Sequence, residues 1–144
     1  VYVVRVHAHK IMSTNLGVGS RLPAFWTSMG RVLLAGLPQP QLLALLASCP
    51  REPYTRYTLT EDADLLAAIE VVRQQGWALI NQELEEGLIS VAAPLHNAQG
   101  QCVGAINVSG QANRTNAQEM QARIVPHLLR AAQTISLLMR TARR

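Results

Sequence analysis

The sequence predicts an α+β domain, an antiparallel sheet with helices laid across it. Three observations lead there. Strand-like runs open the chain and return after its midpoint, segments with helical apolar spacing lie between and after them, and His96-Asn97-Ala98-Gln99-Gly100 has the length and composition of a hairpin loop. At 144 residues, 49% of them hydrophobic, the chain is the size of one ordinary domain and can bury a core without cross-links, so 1–144 is read as one unit.

Val1-Tyr2-Val3-Val4-Arg5-Val6 reads as a strand from its first position, with no initiator methionine and no leader, as in a piece of a longer protein. A second extended run, Lys10 to Leu16, follows His7-Ala8-His9 and is expected to pair with the first. Thr27 is expected to cap a helix running to about Leu37, with Val32, Leu33, Leu34 and Leu37 on one broad face. Pro38 and Pro40 interrupt it, and a short helix follows at about Gln41 to Ala47. After a polar loop through Pro50, Pro53 and Tyr57, Thr60 starts a helix with Glu61 and Asp62 in its first turn. Leu65, Ile69 and Val72 lie on one side of it and Gly76 is its stop.

Trp77 to Asn81, Leu88 to Leu95 and Gln101 to Ser109 are expected strands, the second half of the sheet. Ile89-Ser90-Val91-Ala92-Ala93 is nearly apolar throughout, as a strand covered on both faces must be. Asn116 and Glu119 form a capping-box pattern that opens a helix with Met120, Ile124, Leu128, Ala131, Ile135 and Leu138 on one stripe. Pro126 should kink or interrupt it.

Composition narrows the function classes. Cys49 and Cys102 lie far apart with no CxxC partner, which signals neither a disulfide framework nor a zinc site and suits a reducing cytoplasm. No apolar run approaches the roughly 18 to 20 residues of a membrane span. The net charge is +4, but the basic residues are scattered, Lys10 is the one lysine, and the densest cluster is the terminal Arg140-Thr141-Ala142-Arg143-Arg144. A solvated tail accounts for that better than a nucleic-acid surface, which shows a basic stripe and a dedicated motif.

The chemically richest stretch is Gly19-Ser20-Arg21-Leu22-Pro23-Ala24-Phe25-Trp26-Thr27-Ser28-Met29-Gly30-Arg31-Val32-Leu33-Leu34-Ala35, where a turn feeds into the start of an apolar helix. Unpaired N–H groups, small hydroxyls and a partial positive charge meet there, which favours an anionic ligand group. On the expected strands, Leu88 and Ser90 share one side, as do Asn107 and Ser109.

These blocks resemble the effector domain of the isocitrate lyase regulator (IclR) family of bacterial transcription factors. The resemblance is carried by Gly19 to Ala24, Thr27 to Ala35, Val72-Arg73-Gln74-Gln75-Gly76-Trp77, Glu83 through Pro94, and Gly104-Ala105-Ile106-Asn107-Val108-Ser109-Gly110, in order over nearly the whole chain. The Thr27-Ser28-Met29-Gly30-Arg31 block and Asn113-Arg114-Thr115, followed by Met120, Arg123 and Pro126, look most like the branch that regulates β-ketoadipate pathway genes and senses acids such as protocatechuate or 4-hydroxybenzoate. The resemblance implies a GAF-like domain with a curved sheet and an internal ligand pocket. It also implies a winged helix-turn-helix DNA-binding domain upstream, absent from this chain and its route to DNA, and assembly as a homodimer or homotetramer.

Carried over residue by residue, the pocket would lie among Leu22, Ser28, Met29, Gly30, Leu88, Ser90, Asn107 and Ser109. N–H groups near Met29 and Gly30, with the Ser28 hydroxyl, would bind a carboxylate. Ser90, Asn107 and Ser109 would meet ring hydroxyls, and Leu22, Met29 and Leu88 would pack the ring. A buried carboxylate also wants a cation, for which Arg21 is the candidate and Arg31 and Arg56 are weaker ones; a solvated surface arginine is the plainer role for Arg21.

Other residues signal less. His7 and His9 have no third ligand with a motif, so no metal is expected, and no cofactor fingerprint occurs. Glu83, Glu85 and Glu86 read as a solvated loop. Ser90 and Ser109 lack a nucleophile elbow or a placed His/Asp pair, which speaks against hydrolysis and leaves no catalytic residue to name. A sensor of a small aromatic acid is the leading reading. The alternatives are a sensor of a non-aromatic organic acid, an enzyme acting on such an acid, and an oligomerisation scaffold whose pocket is filled by side chains.

Overall fold

The computed structural model describes residues 1–6 and 17–142. A 3₁₀ turn, Ala24–Trp26, leads into α1 (Ser28–Ala35), α2 (Gln39–Ser48) and α3 (Asp62–Gln75). Three strands follow, β1 (Ala78–Asn81), β2 (Leu88–His96) and β3 (Cys102–Gln111), and then α4 (Ala117–Glu119), a π-turn (Met120–Ile124) and α5 (Val125–Thr141). The strands form one antiparallel sheet in the order β1-β2-β3, with helices on both faces.

The two-residue repeat of β2 assigns its side chains to two layers. Ile89, Val91 and Ala93 pack with Met120, Val125, Leu128 and Ala132 on the last helix. Ala92, one step out of phase, packs with Ala78, Val32 of α1 and Val72 of α3. A third cluster joins Phe25, Trp26 and Leu34 to Leu42, Leu46, Leu65 and Ile69, and the Trp26 indole N–H donates to Leu59 O at 2.7 Å. The turn before α1 is thereby anchored to the outer helices, which sets where α1 begins.

The helix limits follow their caps. The Thr27 side chain accepts from Gly30 N, as expected, but α1 stops at Ala35, Gly36 caps it, and Leu33 faces outward at 42% exposed. α2 begins at Gln39, ahead of the expected start, because a proline fits within a first turn: Pro38 is the N-cap and Pro40 follows one residue in. Glu61, one residue after Thr60, is the N-cap of α3, and Gly76 ends that helix in the left-handed region at φ 85°. Asn116 caps α4 by accepting from Glu119 N.

Two expectations need correction. Residues 1–6 are not a strand: Tyr2 makes two backbone bonds with Gly19 and Ser20, while Val1, Val3, Val4 and Val6 stay exposed, so no face is buried to hold a strand in place. The partner run Lys10–Leu16 lies outside the described residues. The last helix buries Met120, Val125, Leu128, Ala132 and Ser136, whereas Ala131 and Leu138 are exposed. The cause is the π-turn, in which Val125 N bonds Met120 O five residues back just before Pro126. One extra residue in that turn moves the stripe along by one.

Candidate functional site

α1 meets the sheet at its first residue. Ser28 is 2% and Ser90 6% exposed, and their Oγ atoms lie 2.5 Å apart, either one able to donate. The register sets Ser90 opposite Ser109 and Ala92 opposite Asn107, so Asn107 and Ser109 share this face. Asn107 Nδ2 lies 3.4 Å from both Ser90 Oγ and Ser109 Oγ. The four polar side chains therefore make one hydrogen-bonded chain that runs from buried Ser28 and Ser90, through half-buried Asn107, to exposed Ser109. Both Nδ2 protons of Asn107 are spent within the cluster, so its Oδ1 is the atom left to accept from a visitor.

The remaining expected residues divide. Leu22, Met29 and Leu88 are half-buried; Leu88 is in phase with Ser90, and Met29 packs against the Val32–Val72–Ala78–Ala92 cluster. Gly30 cannot offer its N–H to a ligand, because Thr27 Oγ1 takes it at 3.1 Å. Its place in the sequence is steric: a Cβ there would sit 2.1 Å from Ala24 O and 2.5 Å from Thr27 Oγ1. The helix-start donors without a partner inside α1 are the N–H groups of Ser28 and Met29. Arg21 is exposed and makes no hydrogen bond to the cluster among the described residues, and Arg56 pairs with Glu86 on the surface.

Arg31 is the functional surprise of this region. It is buried, and its donors are engaged within the protein: Nε donates to Phe25 O at 2.8 Å, and the two terminal nitrogens donate to Glu83 Oε2 at 3.0 Å and Oε1 at 2.6 Å. Glu83, expected in a solvated loop, is instead the fork's acceptor and is held from behind, since Thr58 Oγ1 donates to its backbone O and Thr55 Oγ1 to that of Gln82. The clamp ties the first turn of α1 to the β1–β2 connection, so it fixes Ser28 relative to Ser90. An arginine interrupting an apolar helix face, with one acidic loop returning next to it, was the available signal.

The cluster is thus a set of neutral donors and acceptors at a helix start, with both nearby arginines committed elsewhere or exposed. Among the described residues, no histidine or carboxylate bonds Ser28 or Ser90 to generate a nucleophile. No group of three His, Cys, Asp or Glu among the described residues is placed to hold a metal ion; His7 and His9 lie outside them. No helix among the described residues is long and apolar enough to cross a membrane. A cavity of about 590 Å³ lies between α1, α3 and α5, and none of the residues expected to bind ligand lines it.

Comparison with known proteins meets this geometry. The family model described as bacterial transcriptional regulator IclR C-terminal matches residues 1–137. The Pca regulon regulatory protein of Pseudomonas putida is 40% identical over 136 residues, 94% of this chain and 47% of that protein. The chain spans about half the length of the curated relatives it matches. A transcriptional regulator from Rhodococcus sp. RHA1 superposes with a TM-score of 0.92 at 41% identity, over 96% of this chain and 56% of that one. A double mutant of the inducer-binding domain of the PobR transcription factor from Acinetobacter, in complex with 3-hydroxybenzoic acid, superposes with a TM-score of 0.83 at 31% identity, over 90% of this chain and 74% of that one. Helices on both faces of an antiparallel sheet, a capped helix start against that sheet, and a family match over almost every residue agree: this chain belongs to the family of bacterial transcriptional regulator IclR C-terminal domains.

Proposed function

We propose that this chain is the effector-sensing part of a transcriptional regulator and that the Ser28 cluster binds a small aromatic carboxylic acid bearing a ring hydroxyl. The observation that carries the reading is the graded polar chain from Ser28 and Ser90 to Asn107 and Ser109, which lies at the donor end of α1 and opens toward solvent. The carboxylate would take the N–H groups of Ser28 and Met29 and the Ser28 hydroxyl, and a ring hydroxyl would donate to Asn107 Oδ1. Leu22, Met29 and Leu88 supply the apolar flanks. The 3-hydroxybenzoic acid complex of the PobR domain supports this ligand class, as do two relatives named for the pca regulon and for p-hydroxybenzoate hydroxylase.

The ligand acts by difference. It can shift the regulator only if it binds two arrangements of α1 against β2 unequally, and Ser28 and Ser90, now bonded to each other, must part for it to enter. DNA is read by a domain outside these 144 residues, and the working unit is a cytoplasmic homodimer or homotetramer; exposed Leu137, Leu138 and Met139 on α5 are apolar surface that suits assembly.

Calorimetric titration with 4-hydroxybenzoate, protocatechuate, benzoate and a non-aromatic acid such as succinate tests the reading. Saturable binding of the hydroxylated aromatic acids, weaker for benzoate and lost in Asn107→Leu, is the expected result. No heat from any aromatic acid, or equal affinity for succinate, overturns it.

A further inference from the structure

We propose that the cavity at the other end of the sheet is a second binding site, for an amphipathic organic anion, separate from the Ser28 cluster. Strand lengths create it. β1 begins at Ala78, opposite Ala92, so β2 continues from Ala93 to His96 with no strand on that side among the described residues. With α1 and α3 over one face and α5 over the other, the missing strand leaves about 590 Å³ between the layers. Pro94, which has no N–H to leave unpaired, lies in this stretch, and the His96 N–H is taken by Ser136 Oγ at 3.0 Å.

The volume falls within the roughly 300–1,000 Å³ of small-molecule sites. Val72, Pro94, Leu129 and Ala132 supply apolar wall, and no Asp or Glu is among the lining residues. Helix ends with bare carbonyls would repel an anion, but two of those that end here are already bonded. Arg73 Nε donates to Ala35 O at the end of α1, and Gly76 N returns to Val72 O at the end of α3. Arg73 is itself paired with Glu70, which leaves Arg140, in the last turn of α5, as the rim charge; no acceptor among the described residues bonds it. Ser136 is 6% exposed and lines the same space, and since its oxygen accepts from His96 its own proton remains to be donated inward. The ligand this combination fits has an apolar body against Val72 and Leu129 and an acidic group toward Arg140.

Two dyes separate charge from shape: the anion 8-anilinonaphthalene-1-sulfonate and its neutral counterpart N-phenyl-1-naphthylamine, each titrated by fluorescence into the 144-residue chain. The anion should bind once per chain, and Arg140→Glu should weaken it by about tenfold or more while leaving the neutral dye within about twofold. Gln133→Trp, at an exposed lining position, should displace both dyes by filling the space, with the circular dichroism of the chain unchanged. Ser109→Leu should leave both dyes bound, so failure here is distinguishable from failure of the Ser28 site. The proposal falls if Gln133→Trp leaves either dye bound as before, if the anion is indifferent to Arg140→Glu, or if the dyes compete with self-association of the chain in sedimentation.

Discussion

Removing Glu83 strands a buried cation. The Arg31 and Glu83 side chains are 4% and 13% exposed, and Glu83→Ala deletes two hydrogen bonds to the guanidinium while the Phe25 contact remains. Breaking one side of a buried pair costs about 3–5 kcal/mol, most of it the price of leaving the other charge without a partner. A domain of this size shifts by roughly 3 °C per kcal/mol, so Tm should fall by about 9–15 °C. The structure also predicts recovery: Arg31→Met combined with Glu83→Leu replaces the pair with apolar groups and should regain most of the loss, because neither charge is then buried. Urea denaturation of Glu83→Ala and of the double variant, followed by circular dichroism, reads both free-energy changes, and thermal melts read the Tm shift. A loss below about 1 kcal/mol in Glu83→Ala, the range of a surface pair, would refute the claim that this clamp is buried and pins α1.

Gly30→Ala should destabilise the chain more than Gly76→Ala in the same urea assay, since the first forces a Cβ to 2.1 Å from Ala24 O while the second pays only a left-handed backbone penalty of about 1–2 kcal/mol. Asn116→Ala should cost about 1 kcal/mol by removing the acceptor for Glu119 N, and a full-strength helix in that variant would deny the cap. Burial pushes the Cys102 thiol up from its ordinary value, so at pH 8 iodoacetamide should label it more slowly than it labels N-acetylcysteine, by mass spectrometry. The sign for stability follows: the folded chain holds that proton more tightly than the unfolded chain, so its contribution is complete below the unfolded thiol's pKa and is lost as pH rises through the raised folded value.

Local chemistry made much of this legible. Thr27 announces α1 because a hydroxyl before an apolar helical run has one obvious use, and the two-residue repeat was enough to put Ser90, Asn107 and Ser109 on one side once the hairpin register held. What escaped depended on partners distant in sequence. Gly30 looked like an open donor, but whether its N–H is spent depends on the threonine rotamer, and the close approach of Ala24 comes from the 3₁₀ turn anchored by Trp26. Arg31 was a weaker candidate than Arg21 for a ligand cation, and Glu83, 52 residues away, claims it. The stripe on α5 was misplaced because a regular 3.6-residue count cannot anticipate a π-turn.

That turn also loosens a rule about length. Insertions and deletions normally belong in loops, since losing a helical residue rotates everything after it by about 100° relative to what came before. Between Met120 and Ile124 the chain already holds the surplus, so a version shorter by one residue there would close into ordinary α-helix and still deliver Leu128, Ala132 and Ser136 to the sheet. The opening turns of this helix are a place where chain length can drift by one without moving the core.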